Sequence, residues 1–184
     1  MADSSEGRPL VEILADQVAV PGTDGRIALS AFPGRALAGP GGRVKAADVE
    51  RELEALRRWG AEVLVSLIEE SELGLYGLPS LSGHIPAGMG WLRLPIADGG
   101  APDAAWESAW EKAGTELEAL LRRGGKIALH CVGGRGRSGT VAALILIRFG
   151  MDTEDAIKAV REARPGAIET DAQLDYLRNR PRKK

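Results

Sequence analysis

The chain has 184 residues, of which 44% are hydrophobic and 27% are charged, and its formal net charge at pH 7 is −2. This size and composition are typical of a soluble globular protein, and the charge gives no overall attraction to nucleic acid or membrane, so any anion site must be local. The one cysteine of the sequence excludes an internal disulfide and fits a reducing compartment.

The N-terminal segment is acidic and polar, without the pattern of a secretory signal, so we expect a cytoplasmic protein. Residues 1–9 are predicted to be a flexible N-terminus, residues 10–180 one folded domain and residues 181–184 a solvated basic tail. Apolar runs bounded by turn residues predict strands at residues 10–20, 26–32, 61–67, 90–95 and 126–130. Helical periodicity predicts helices at residues 44–59, 69–75, 103–123, 137–149, 153–164 and 170–178. Loops rich in Gly and Pro are expected at 33–42 and 77–90, and no apolar run is long enough to cross a bilayer.

The alternation of strands and helices predicts an α/β fold, with a central, mostly parallel, twisted sheet flanked by helices. Ligands of such sheets bind beyond the carboxyl ends of the strands. The loops after residues 94 and 130 both begin at such ends. We therefore expect Asp98 and Cys131 to lie on one rim of the sheet.

A glycine-rich loop follows the predicted strand at 126–130. Cys131 opens this loop, Arg137 closes it, and three glycines lie between them. Glycines let backbone N–H groups turn inward and bind an anion, and the helix that follows points its positive N-terminal end at the same place. A thiol placed there is expected to ionise more readily than a free thiol. The loop therefore suits phosphoryl transfer through a cysteine.

Other interpretations of this loop fit less well. Residues 134–139 match the dinucleotide-binding pattern G-x-G-x-x-G, but a second helix is predicted where that unit needs a strand. A nucleotide P-loop needs Lys and Ser/Thr where Thr140 and Val141 stand. A buried structural thiol would leave Arg135 and Arg137 unexplained, because neither belongs near a dry core without an anion.

The sequence from His130-Cys131 to Arg137-Ser138 resembles the signature of cysteine-dependent protein phosphatases of the dual-specificity type. Three further segments resemble the early Pro-Gly turn, the general-acid loop and the C-terminal segment of the cyclin-dependent-kinase-associated phosphatase group, at residues 31–35, 95–103 and 166–173. The resemblance extends over roughly residues 27 to 180. It implies a tyrosine-phosphatase-like fold of dual-specificity size and a phosphatase domain over 10–180.

This resemblance implies a cysteine nucleophile. Cys131 is predicted to attack phosphorus and form a cysteinyl-phosphate, and Arg137 to clamp two phosphoryl oxygens in a bidentate fork. His130 is predicted to orient the loop, and Ser138 to donate a hydrogen bond to the sulfur as well as to satisfy the first turn of the helix. The backbone N–H groups expected to bind the remaining oxygens are those of Val132, Gly133, Gly134, Arg135, Gly136 and Arg137.

A carboxyl group is needed to protonate the leaving oxygen and then to activate the hydrolytic water. The resemblance favours Asp98, whereas the competing Asp103 precedes a predicted helix and fits an N-cap. Gln173 matches the position at which the family uses glutamine to hold the hydrolytic water. Thr170 and Gln173 also fit the sequence pattern of a capping box. Arg135 departs from the group that the sequence resembles, in which a neutral residue is expected at this position, and it either adds positive potential or points to solvent.

The main prediction is a phosphatase that hydrolyses phosphate monoesters without a metal or other cofactor. Its expected partner is a phosphorylated protein, with phosphotyrosine first and phosphoserine/threonine second, or another phosphate monoester, and no nucleic acid is expected. The alternatives are a phosphoinositide or inositol phosphate phosphatase of the same mechanism and a phosphate-binding module with vestigial catalysis. A rhodanese would lack the acid loop, and a cysteine-relay arsenate reductase would need a second cysteine.

Overall fold

Strands and helices alternate through residues 15–38 and 42–180, which are the residues that this computed structural model describes. The strands, in chain order, are β1 (Ala15–Ala19), β2 (Arg26–Ser30), β3 (Ala61–Ser66), β4 (Gly90–Arg93) and β5 (Lys126–His130). The helices are α1 (Arg35–Ala38), α2 (Ala46–Trp59), α3 (Glu70–Leu75), α4 (Ala104–Arg122), α5 (Gly136–Arg148), α6 (Thr153–Ala163) and α7 (Asp171–Arg178). A short 3-10 helix, Ser82–His84, lies within the predicted 77–90 loop. The predicted flexible N-terminus, the first part of the predicted 10–20 strand and the basic tail lie outside the described residues.

These strands form one sheet in the order β1-β2-β5-β3-β4. The central β5 runs parallel to β2 and β3, β4 is parallel to β3, and β1 is an antiparallel edge. The predicted α/β fold with a mostly parallel sheet flanked by helices is confirmed. Because the register pairs Ser66 with His130, the carboxyl ends of β3 and β5 meet at one edge of the sheet.

Helices cover the sheet because their apolar surfaces need a partner. α5 packs on β2 and β5, α6 on β1, α2 on β3 and α4 on β5. α5 also packs against α6 and α7, and it is buried along most of its length. This explains why its sequence is apolar on all faces. The loop at its N-terminus is therefore held against a rigid core.

The segment 95–103, between β4 and α4, is anchored at its two ends by one tryptophan. Trp106 Nε1 donates a hydrogen bond to the Leu94 carbonyl at 3.1 Å. The Asp103 carboxylate accepts one from Trp106 N at 2.8 Å and caps α4, as the sequence predicts. The Trp106 ring is itself buried in a stack with Trp110, with centroids 5.0 Å apart.

Some elements differ from their predicted extent for identifiable reasons. β2 ends before residue 32 because Phe32 N bonds the Val132 carbonyl instead of a strand partner (3.0 Å). β4 is assigned only as far as Arg93, but its backbone contacts with the end of β3 continue, since Leu94 N donates to the Ser66 carbonyl (2.9 Å) and Ile96 N to the Leu67 carbonyl (3.0 Å). The predicted 33–42 loop contains the single turn of α1, and its residues 39–41 lie outside the described part of the chain. No helix in residues 15–38 and 42–180 is long and apolar enough to span a membrane.

Candidate active site

The cysteine loop, residues 131–136 between β5 and α5, curls around one sulfur. Cys131 is 3% exposed, and its Sγ accepts a hydrogen bond from Gly134 N at 3.2 Å. Gly134 has a φ of +68°, and a Cβ there would collide with the Ser30 carbonyl oxygen, so only glycine fits this position. The tight turn directs the Gly134 N–H at the sulfur.

Hydrogen bonds from outside the cysteine loop fix the direction of its peptide groups. The contacts are Cys131 O with His130 Nδ1 (3.3 Å), Val132 O with Phe32 N (3.0 Å), Gly133 O with Arg164 Nη2 (2.9 Å) and Arg135 O with Ile168 N (3.3 Å). Because the C=O and N–H of one trans peptide point in opposite directions, each outward carbonyl leaves the next N–H facing inward. The inward N–H groups are those of Val132, Gly133, Gly134 and Gly136.

The Arg137 guanidinium is buried beside this loop and is held by a carboxylate. Its Nη1 and Nη2 donate to Glu72 Oε2 (2.7 Å) and Oε1 (2.8 Å), and Nη1 also donates to the Ile96 carbonyl (3.0 Å). Burial alone would lower the pKa of Arg137 and raise the pKa of Glu72, but the hydrogen-bonded ion pair outweighs burial for both groups. The pKa of Arg137 is therefore raised and that of Glu72 is lowered, so both side chains are charged.

Glu72 was not among the residues predicted from the sequence. It lies on α3, a few residues beyond the carboxyl end of β3, and its Oε2 also accepts from Glu69 N (2.7 Å) in a capping box. A carboxylate that follows a strand at the ligand-binding edge of a parallel sheet is the signal that could have identified it.

The 95–103 loop brings Asp98 to the same guanidinium. Asp98 Oδ1 lies 2.9 Å from Arg137 Nη2, and the Asp98 side chain is 80% exposed. Arg137 thus contacts a buried carboxylate on one side and a solvent-facing carboxylate on the other. Asp103 is engaged elsewhere, as the N-cap of α4.

The first turn of α7 ties the 95–103 loop to the cysteine loop. Gln173 Nε2 donates to the Gly100 carbonyl (3.0 Å), and Thr170 Oγ1 donates to the Gly99 carbonyl (3.0 Å). The predicted capping box between Thr170 and Gln173 is present. Gln173 is buried, and its amide lies 3.0 Å from where a Cβ on Gly136 would stand. The capping role and a position beside the cysteine loop therefore coexist in Gln173.

His130 is buried behind the cysteine. Its Nε2 lies 2.6 Å from Ser66 Oγ, which accepts a hydrogen bond from Trp91 Nε1 at 2.8 Å. Burial lowers the pKa of His130 from 6.5 to about 4, so the ring is neutral at pH 7. Neither Ser66 nor Trp91 was predicted from the sequence, because their contact depends on the register of three strands.

The predicted hydrogen bond from Ser138 to the Cys131 sulfur is not formed. Ser138 Oγ is buried and has no hydrogen-bond partner among the residues described. The sulfur instead accepts from Gly134 N.

The outer rim of the cysteine loop carries an exposed arginine and a strained residue. The Arg135 side chain is exposed and makes no hydrogen bond or ion pair within residues 15–38 and 42–180. Ile168, whose N–H holds the Arg135 carbonyl, has a φ of +58°, which is unfavourable for a β-branched residue. Arg161 stabilises this backbone by donating to the carbonyls of Ala167 and Ile168, both at 3.0 Å. No sequence signal marks Ile168, since a β-branched residue predicts extended backbone.

Within the described residues no cluster of three or more His, Cys, Asp or Glu side chains could hold a metal ion. The groups suited to binding an anion are the inward N–H groups of the cysteine loop and the N–H groups of Arg137 that Glu72 and Ile96 leave free.

Comparisons with known proteins fit this geometry. The family model described as "Polymorphic toxin system, DSP-PTPase phosphatase" matches residues 38–151. Cyclin-dependent kinase inhibitor 3 of Homo sapiens is 36% identical over 134 residues, which cover 71% of this chain and 62% of that protein. Protein tyrosine phosphatase type IVA 3 of Homo sapiens is 33% identical over 125 residues, which cover 68% of this chain and 67% of that protein.

The fold is similar to a solved structure as well. A crystal structure of kinase associated phosphatase, with its catalytic-site cysteine substituted by serine, superposes with a TM-score of 0.75 at 29% identity. The superposition covers 89% of this chain and 90% of that one. The chain nevertheless spans only 62% of the length of the kinase inhibitor 3 relatives that it matches.

The buried, neutral His130 should make stability depend on pH. Because the pKa is 6.5 in the unfolded chain and about 4 in the folded one, the unfolded state binds more protons between these values. The contribution of His130 to the free energy of unfolding is therefore fully present above pH 6.5 and should fall by about 2 kcal/mol between pH 7 and pH 5. Urea unfolding of the wild type and of His130→Asn at both pH values measures this difference, and equal pH dependence in the two proteins would contradict it.

Proposed function

The chain belongs to the DSP-PTPase phosphatase family, and we propose that it hydrolyses phosphate monoesters through a cysteinyl-phosphate on Cys131. We propose residues 10–180 as the catalytic domain. The family model begins at residue 38, but β2 lies before that point and pairs with the central β5, which supports including the N-terminal strands.

One observation carries this proposal: a single sulfur lies among inward-facing N–H groups, next to a guanidinium fixed in a fork. A phosphoryl group placed over Cys131 would meet N–H donors from the cysteine loop, and the N–H groups of Arg137 that Glu72 and Ile96 leave free, at the oxygens on which charge develops. The same N–H groups and the N-terminus of α5 would stabilise the negative charge that develops during phosphoryl transfer. The solved relative with a substituted catalytic-site cysteine supports the same role for the cysteine here.

In the first step the Cys131 thiolate attacks phosphorus, an S–P bond forms, and the P–O bond to the leaving group breaks. Asp98 in its acid form donates its proton to the departing oxygen. Its contact with Arg137 Nη2 supports this role, because the carboxyl group then lies next to the fork that binds the phosphoryl oxygens. Asp103 is less suited, since its carboxylate is committed to Trp106 N.

In the second step water attacks the cysteinyl-phosphate, the S–P bond breaks, and the thiolate is regenerated. The Asp98 carboxylate takes the proton of the attacking water, and Gln173 is proposed to hold that water, which its position beside Gly136 supports. His130 orients the cysteine loop through the Cys131 carbonyl. Ser138 is proposed to stabilise the leaving thiolate after a change of its χ1 rotamer, since Oγ has no competing partner within the described chain.

A phosphorylated protein is the proposed substrate, and a cytoplasmic location remains part of the proposal. The relatives named as a protein tyrosine phosphatase and as a cyclin-dependent kinase inhibitor favour a phosphoprotein. The free, exposed Arg135 favours a second candidate, a phosphoinositide or inositol phosphate that carries an additional anionic group. Parallel assays with phosphopeptides and inositol phosphates distinguish the two.

Replacing the nucleophile should separate binding from turnover. Cys131→Ser is expected to lower kcat for para-nitrophenyl phosphate by at least about a thousandfold, because a serine hydroxyl is not ionised at neutral pH. Binding of inorganic phosphate or vanadate should stay detectable by calorimetry. Near-normal turnover in this variant would contradict the mechanism, and a wild type without turnover would leave a phosphate-binding module.

The general acid can be identified because the effect of removing it on the rate should depend on the leaving group. Asp98→Asn is expected to lower kcat/KM for phenyl phosphate by about a hundredfold or more, and kcat/KM for 2,4-dinitrophenyl phosphate far less, because kcat/KM reports the first step and a good leaving group needs no proton there. Asp103→Asn is the matched control, since asparagine also caps helices and both rates should persist. A leaving-group-dependent loss in Asp103→Asn alone would move the acid role to Asp103.

A further inference from the structure

A chain of hydrogen bonds runs from the edge of the sheet to the catalytic cysteine. Trp91 Nε1 lies 2.8 Å from Ser66 Oγ, Ser66 Oγ lies 2.6 Å from His130 Nε2, and His130 Nδ1 lies 3.3 Å from the Cys131 carbonyl. These side chains come from the neighbouring strands β4, β3 and β5. The register makes the alignment possible, because Trp91 pairs with Leu64, two positions from Ser66 on the same face of β3.

The two ends of this chain give it a direction. An indole N–H can only donate, so Ser66 Oγ must accept from Trp91. At the other end a backbone carbonyl can only accept, so His130 Nδ1 must carry a proton. The ring is neutral and has one proton, and Nε2 is therefore left as an acceptor for the Ser66 hydroxyl. This is the arrangement in which every donor and acceptor along the chain is satisfied.

We infer that Trp91 is a positioning residue for the proposed phosphatase reaction: its indole N–H favours the orientation in which the Ser66 hydroxyl donates to His130 and thereby stabilises the Nδ1-protonated tautomer. The hydroxyl has a second lone pair, but a hydroxyl that accepts from Trp91 is polarised into a stronger donor to His130 Nε2, and removing Trp91 removes that bias. The other tautomer then becomes available, with the lone pair of Nδ1 facing the Cys131 carbonyl oxygen.

The orientation of the Cys131 carbonyl matters because it belongs to the first peptide of the cysteine loop. While that carbonyl is held outward by His130, the N–H of Val132 faces the space above the sulfur. Loss of the Trp91 donor loosens this first peptide and leaves the Arg137 fork in place, because Glu72 and Ile96 hold that fork independently. The catalytic consequence rests on the proposed function, whereas the tautomer does not.

Nitrogen-15 NMR of the two histidine rings at pH 7 tests the tautomer directly, with His84→Gln used to assign the signals. The wild type should show His130 protonated at Nδ1 and unprotonated at Nε2. Trp91→Phe keeps an aromatic ring beneath Arg93, whose guanidinium lies 5.7 Å from the ring centroid, and removes only the donor. In this variant a substantial Nε2-protonated population should appear. A wild type protonated at Nε2, or a Trp91→Phe protein with an unchanged tautomer, would overturn the inference.

Kinetics supply the second readout. kcat/KM for para-nitrophenyl phosphate should fall roughly fivefold in Trp91→Phe, the size expected for the loss of one neutral hydrogen bond. Ser66→Ala breaks the same chain, so the double variant should be no slower than Ser66→Ala alone.

The matched control is Trp59→Phe. The indole N–H of Trp59 makes no hydrogen bond within the described residues, so this variant should keep wild-type kinetics. Additive losses in the double variant would contradict the chain. If the wild type proves inactive, the proposed function fails, while the NMR result still decides the inference.

Discussion

The site depends on one buried ion pair, between Arg137 and Glu72. A buried guanidinium without a partner costs several kcal/mol, and this one is stable because a bidentate carboxylate and the Ile96 carbonyl satisfy its donors. Three parts of the chain meet at this group: α3 supplies Glu72, the 95–103 loop supplies Ile96 and Asp98, and α5 supplies Arg137 itself. The guanidinium therefore sets the position of the proposed acid relative to the cysteine as well as the place where a phosphoryl group can bind.

The cysteine loop is shaped by the fold around it more than by its own side chains. Its carbonyls are held outward by Phe32 after β2, by Arg164 after α6, and by Ile168, whose unfavourable φ is maintained by Arg161. A strained residue that persists beside a functional loop indicates that its surroundings over-determine its conformation. Residues far apart in sequence thus orient one ring of N–H groups. A substitution that removes any of these contacts is expected to move the backbone of the cysteine loop and so change the surroundings of the sulfur.

Local patterns in the sequence predicted much of this structure. The strand-to-helix alternation predicted the parallel sheet, and turn and capping chemistry predicted the N-caps Asp103 and Thr170. The features that could not be predicted from the sequence depend on tertiary contacts. Glu72 reaches Arg137 across 65 positions of sequence, and the Trp91–Ser66–His130 contacts exist only through the register of three strands. The expected Ser138–sulfur hydrogen bond is not formed: Ser138 Oγ has no partner among the described residues, and the sulfur accepts from Gly134 N.

Capture of the phosphoryl group on Cys131 tests the central claim most directly. In Asp98→Asn, a substrate with a good leaving group such as 2,4-dinitrophenyl phosphate needs no acid in the first step, whereas hydrolysis of the intermediate still lacks its base. Mixing with excess substrate, followed by a rapid denaturing quench and peptide mass spectrometry, should find phosphate on Cys131. The absorbance of released dinitrophenol should show an initial burst of about one molecule per protein molecule. Turnover without a burst, or phosphate attached to another residue, would contradict the cysteinyl-phosphate mechanism.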